Sequence, residues 1–234
     1  MTNTLHRFGT PEDLKDDYLV FIMTSKGHND IEATDKARDF LKAAHKYNPV
    51  NMAGDSFYGP MYRPEKKLNP FDLYIKGRVE NVSVEQLVDE MQPPGRALAV
   101  FDNKEAVEGF LKELKEMDLG LSVNVASLVE DVREMAPRTG LPPHSMNYAL
   151  GFRGNLYRLP DEYVLALTTM CGHGLIASNF AKKMIDRVRE KRLTPEKAAR
   201  YLAKFCVCGA FNNSRAEHIL KSARKSEPIL SEVP

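Results

Sequence analysis

Cysteine is scarce in this chain, with three in 234 residues. Three thiols cannot all pair within one chain, and so few exclude a disulfide scaffold. An excess of one charge is also missing. Lys plus Arg number 33 against 32 for Asp plus Glu, a net +1, which argues against an electrostatically driven nucleic-acid or polyanion binder. Long hydrophobic runs are absent too. The strongest, Tyr18 to Met23, is far short of the roughly 20 residues a membrane helix needs. The opening residues MTNTLHRFGTPEDLKDD carry no apolar signal core, so the expectation is a cytoplasmic protein without a membrane segment. Tryptophan does not occur, which selects no function. What remains is ordinary globular composition, 43% hydrophobic and 28% charged, in a chain long enough to bury a real core as one large domain or two small ones.

The first half alternates strand and helix signals. Tyr18 to Thr24 (YLVFIMT) reads as a buried strand. Asn29 or Asp30 is the expected cap of a helix with Ile31, Ala37, Phe40, Leu41 and Ala44 at helical spacing, ending near Tyr47 ahead of Asn48-Pro49. Residues 48–71 hold four prolines, two glycines and the aromatics Phe57, Tyr58 and Tyr62. They read as a long loop, either a lid over a site, with Asn51 and Arg63, or a surface meander. Leu73 to Val79, Arg96 to Phe101 and Leu121 to Val125 are the next strand candidates, and Ser145 to Phe152 a fifth. Between them, Ser83 with Gln86 and then Asn103 mark helix starts.

This order predicts an α+β protein. Its N-terminal part, residues 1–159, is expected to be a ferredoxin-like α/β sandwich, with a small doubly wound sheet as the alternative. Residues 160–225 read as a helical region and 226–234 as a flexible tail. In the helical region one helix is expected from about Gly174 to Arg192. Another starts at Thr194-Pro195, and a third at a Ser214/Glu217 capping box.

All three cysteines lie in this last third, as Cys171 in TTMCGHGLIAS and Cys206 and Cys208 in KFCVCGAFNNS. The predicted helix boundaries put each thiol at a helix end, where free N–H groups would stabilise a thiolate. If the intervening helices run antiparallel, the C-x-C turn returns to the C-x-H motif. Cys171, His173, Cys206 and Cys208 then form a metal ligand set. Three thiolates and an imidazole suit an iron–sulfur cluster, or alternatively a tetrahedral Zn²⁺. The bland alternative is buried structural cysteine. Against it, each motif combines thiols with glycine, and glycine beside a thiol provides backbone access that core packing does not require.

MCGHGLIA, residues 170–177, resembles the first cysteine motif of the proline racemase and hydroxyproline epimerase family. The resemblance implies Cys171 as an acid/base thiol at a helix N-terminus exchanging a substrate α-proton, with His173 holding the substrate. The family's second motif, a cysteine followed by GTGT, is replaced here by Cys208-Gly209-Ala210-Phe211. His144, Asn147 and Arg153 around the fifth strand candidate, and Asn212 and Arg215 after the C-x-C, are candidate substrate contacts. Asn212 as a helix cap and Arg215 as a solvated charge are their plainer readings. No phosphate loop, dinucleotide fingerprint, zincin motif or nucleophile elbow occurs. The expected function is a small-molecule enzyme of lyase or transferase type with a thiolate-bound metal or iron–sulfur centre, Cys171 and His173 also serving catalysis. Metal-free racemase-like proton transfer and a binding module with structural zinc are the alternatives. The partner is a small-molecule substrate rather than nucleic acid or membrane, and a homo-oligomer is compatible with this reading.

Overall fold

The computed structural model describes residues 7–54, 83–89, 91, 93, 95–206 and 208–225. Within them the chain is mixed α/β, with one four-stranded antiparallel sheet and nine α-helices. The strands are β1 (Tyr18–Met23), β2 (Asn51–Gly54), β3 (Ala97–Phe101) and β4 (Ser122–Ala126), in the order β2-β3-β1-β4. β1 pairs antiparallel with β3, Val20 opposite Ala99, and with β4, Val20 opposite Val125. β2 pairs antiparallel with β3, Met52 opposite Ala99.

The first helices are α1 (Pro11–Leu14), α2 (Ala33–His45), α3 (Val84–Asp89), α4 (Lys104–Met117) and α5 (Val129–Thr139). They are followed by α6 (Glu162–Thr168), α7 (Ser178–Arg189), α8 (Pro195–Ala203) and α9 (Asn213–Lys225). No helix among the described residues is long and apolar enough to cross a membrane.

β1 explains the layering. Its side chains alternate between faces, and both faces are covered, which is why five consecutive residues, Tyr18 to Ile22, are buried. Tyr18, Val20 and Ile22 join Ala97, Ala99 and Phe101 in a core under α2 and α4, where Phe110 meets Phe40 edge-on with centroids 5.0 Å apart. Leu19, Phe21 and Val100 point the other way, into the core made by α6 to α9. The sheet is therefore the floor on which the cysteine-bearing helices pack.

Several sequence expectations are corrected. β2 falls inside the segment read as a loop. Four residues beside Pro49 and ending in Gly54 give too weak a strand signal, and the pairing with β3 supplies what propensity does not. Residues 145–152 form no strand; apolar alternation there is not matched by a partner strand. α2 starts at Ala33, because the side chains of Asn29 and Asp30 instead accept from the N–H groups of Ser25 and Gly27, at 2.6 and 2.9 Å. Ile31, expected inward, is exposed. α7 begins at Ser178 rather than Gly174. α9 is capped by Asn212, whose Oδ1 accepts from Arg215 N at 2.9 Å, two residues before the expected cap. The strand candidate 73–79, the loop aromatics, Arg63 and the tail 226–234 lie outside the described residues.

The cap at Asn103 is as expected, its Oδ1 accepting from Ala106 N at 2.8 Å. Asn103→Ala should cost about 1 kcal/mol, read as a fall of about 2–4 °C in melting temperature for a chain of this size. An unchanged midpoint would mean the cap contributes nothing.

Candidate functional site

Cys171 lies three residues beyond α6, and Cys206 three residues beyond α8. Each is held by a tight turn, Cys171 N donating to Thr168 O at 3.2 Å and Cys206 N to Ala203 O at 2.9 Å. Both thiols thus follow helix C-termini. The macrodipole there is negative and would oppose a thiolate, so the expected helix-N-terminus stabilisation does not operate. Local N–H groups do that work. The backbone N–H groups of Leu175 and His173 turn toward Cys171, and that of Ala210 toward Cys208. Gly174 and Gly209 make those turns at φ +66° and +75°, in the left-handed region open to glycine at little cost.

The loops after α6 and α8 converge, and the four donors touch in sequence. Cys171 and Cys206 are close enough for each thiol to shift the ionisation of the other. Cys206 Sγ lies 3.8 Å from Cys208 Sγ, and His173 lies against Cys208. Cys171 and Cys206 are buried, while Cys208 and His173 are half-buried. Nδ1 of His173 is itself buried and has no hydrogen-bond partner. Among the described residues, no three His, Cys, Asp or Glu side chains already stand in a metal's ligand geometry.

The electrostatics follow from Cys206, which sits between the other two thiols. Its contacts with both push the pKa of Cys206 well above the ordinary thiol value, with burial adding to the effect. The same contacts hold Cys171 and Cys208 down, Cys208 furthest because His173 also bonds to it and adds a positive charge. The same contact raises His173. The cluster can hold a thiolate beside an imidazolium, or give its protons up and receive a soft cation.

The other candidates separate into two groups. His144, Asn147 and Arg153 are exposed on the irregular segment between α5 and α6, away from the buried thiols. Asn212 and Arg215 are fully buried but already bonded. Asn212 Nδ2 donates to Asp16 O at 2.8 Å and Asp17 Oδ1 at 3.1 Å. Arg215 donates to Asp17 Oδ2 at 3.0 Å and Phe8 O at 2.6 Å. Arg215 is therefore not the solvated charge the sequence suggested.

Sequence reasoning missed their partners, Arg7 and Asp17. Arg7 donates to Asp17 and to the carbonyl of Ala210. Phe8 N donates to Thr169 Oγ1 at 2.9 Å, two residues from Cys171. Nothing in the N-terminal sequence announces a segment that binds both cysteine loops. Compared with known protein families, curated proteins and solved structures, the chain matches none.

Proposed function

We propose that this chain is a metal-binding protein whose centre is one tetrahedral soft ion held by Cys171, Cys206, Cys208 and His173. The observation that carries this reading is the 3.8 Å between Cys206 Sγ and Cys208 Sγ. Two thiolates at about 2.3 Å from one tetrahedral ion are separated by about 3.8 Å. Cys206 also neighbours Cys171, which makes Cys171 the third thiolate, and the buried Nδ1 of His173, without a hydrogen-bond partner, is the fourth donor. Small rotations of the side chains would convert the thiol contacts into a ligand set.

The ion would be structural. It would tie the loop after α6 to the loop after α8 on the second face of the sheet, so that binding energy becomes folding energy of residues 160–225. The scaffold beneath it we infer to be a ferredoxin-like sandwich. β1-α2-β2 and β3-α4-β4 are two interleaved units, each with a strand of the other between its own two. The enzyme reading draws less support, because two candidate substrate contacts are consumed in buried bonds and three stand on an exposed segment.

Metal and acid-labile sulfide analysis of protein purified without oxygen is the test. One zinc per chain, lost in Cys206→Ser, is the expected result. Iron with sulfide would replace the single ion by a cluster. Stoichiometric metal retained by the Cys206→Ser variant would overturn the proposed ligand set.

A further inference from the structure

The buried charge next to the cysteine loops does not balance. Asp17 is fully buried and accepts from two guanidinium groups, those of Arg7 and Arg215, whose side chains are 6% and 1% exposed. Two cations on one carboxylate leave one positive charge in the protein interior. Such a surplus is costly, because effective desolvation penalties run to several kcal/mol per ion. The strain is visible at Arg215, whose ionisation is opposed first by burial and also by the charge of Arg7. The Nε atoms of both arginines are buried without a hydrogen-bond partner, so neither group is fully satisfied where it stands. Asp13 also faces this group but is exposed, where water screens its charge, and the half-exposed carboxylate of Asp16 lies 3.6 Å from His218.

The surplus has a direct connection to the sulfurs. Arg7 donates to the carbonyl of Ala210, and the N–H of Ala210 is the backbone group turned toward Cys208. Two successive peptide groups joined at Ala210 therefore lie between a guanidinium and a thiolate, the C=O of one bound by Arg7 and the N–H of the other turned toward Cys208. Asn212, two residues on, accepts no charge but fixes the same turn by donating to Asp17. At the other loop, Phe8 N binds Thr169 next to the Cys171 turn.

We propose that Arg7, paired with Arg215 on Asp17, is the counter-charge of the thiolate centre and so favours a divalent over a monovalent ion. The inference rests on the metal reading above and deepens it. A divalent ion with three thiolates and a neutral imidazole carries one negative charge, and the arginine pair supplies the one positive charge left over. A monovalent ion in the same site would leave two negative charges against one positive and would be disfavoured. Arg7 is thus a positioning and charge-balancing residue that touches no metal.

The test is Zn²⁺ affinity of full-length protein by competition with a chromophoric chelator, with Co²⁺ absorption reporting the ligand set. Arg7→Met removes the charge while leaving the neutral Arg215–Asp17 pair, and Arg7→Lys keeps the charge without the fork. Arg7→Met should weaken Zn²⁺ binding on the order of tenfold, in the range that outer contacts to metal ligands usually give, with the Co²⁺–thiolate bands unchanged in position. Arg7→Lys should stay within about threefold of the parent, since a charge acts without fork geometry. Equal losses in the two variants would make Arg7 a structural clamp and overturn the proposal, as would an unchanged affinity in Arg7→Met. Parent protein that binds neither ion would instead remove the metal reading, and this inference with it.

Discussion

Asp17→Ala is expected to destabilise the protein by about 3–5 kcal/mol, the usual cost of breaking a buried ion pair by removing one partner. Against a typical total of about 5–15 kcal/mol, that is enough to leave a large unfolded fraction. The cost is high because Asp17 accepts from three donors, on Arg7, Arg215 and Asn212. Alanine would strand two guanidinium groups and an amide in a region they cannot leave without opening it. The effect should spread in both directions. Asp17 immediately precedes β1, the strand buried on both faces; Arg7 reaches the loop that carries Cys208, and Phe8, bound by Arg215, donates to Thr169 beside the Cys171 turn. Urea unfolding followed by far-UV circular dichroism gives the number. Asp17→Asn, which keeps an acceptor and nearly the same volume, should lose less. A midpoint shift worth under about 1 kcal/mol for the alanine variant would mean water enters and solvates the arginines, and the network would not be a structural keystone.

The elements with strong local signals were legible in the sequence. β1 and β3 stand out as short apolar runs, and α4 and α8 announce themselves through Asn103 and Thr194-Pro195. Each is decided by residues within a turn or two of one another. β2 was not legible, since four residues near a proline and ending in glycine become a strand through pairing with β3, some fifty positions away. Residues 145–152 fail in the opposite sense: alternation makes a strand possible, but without a partner its N–H and C=O groups have no ladder. The candidate site divides along the same line. That Cys171, His173, Cys206 and Cys208 belong together could be read from two motifs separated by a helical hairpin. The source of thiolate stabilisation was misjudged, because shifting a helix start by four residues, from Gly174 to Ser178, moves Cys171 from a helix N-terminus to the far side of a C-terminus. Arg7 and Asp17 had no signal at all, because their significance comes from Asn212 and Arg215, about 200 residues later.

The second large effect concerns the thiols themselves. In folded protein freed of metal, iodoacetamide should label Cys208 at least about tenfold faster than Cys206 near pH 7. Cys208 is held down to about 4 by the Cys206 hydrogen bond and then by His173, so it is thiolate throughout the neutral range. An unperturbed thiol near 8.5 would be only a few per cent ionised at pH 7, although the lower-pKa thiolate is also the weaker nucleophile and gives back part of the advantage. Cys206 has the opposite shift and is buried as well, so it should resist. Cys171 is lowered to about 6 but is only 3% exposed, which puts access rather than ionisation in control. The sign of the pH dependence follows. Because the folded pKa of Cys208 lies below its unfolded value, labelling at this position should stay nearly flat from pH 6 to 8, where an ordinary cysteine gains about a hundredfold in thiolate. It should fall only as pH drops toward 4. His173→Asn removes the positive neighbour, moves that fall to higher pH and slows labelling at pH 5. Peptide mapping by mass spectrometry separates the three sites. Equal and slow labelling of all three, or a Cys208 rate rising tenfold per pH unit through neutrality, would show that no thiolate is stabilised. The cluster without metal would then be buried thiol, ionised only when a cation displaces its protons.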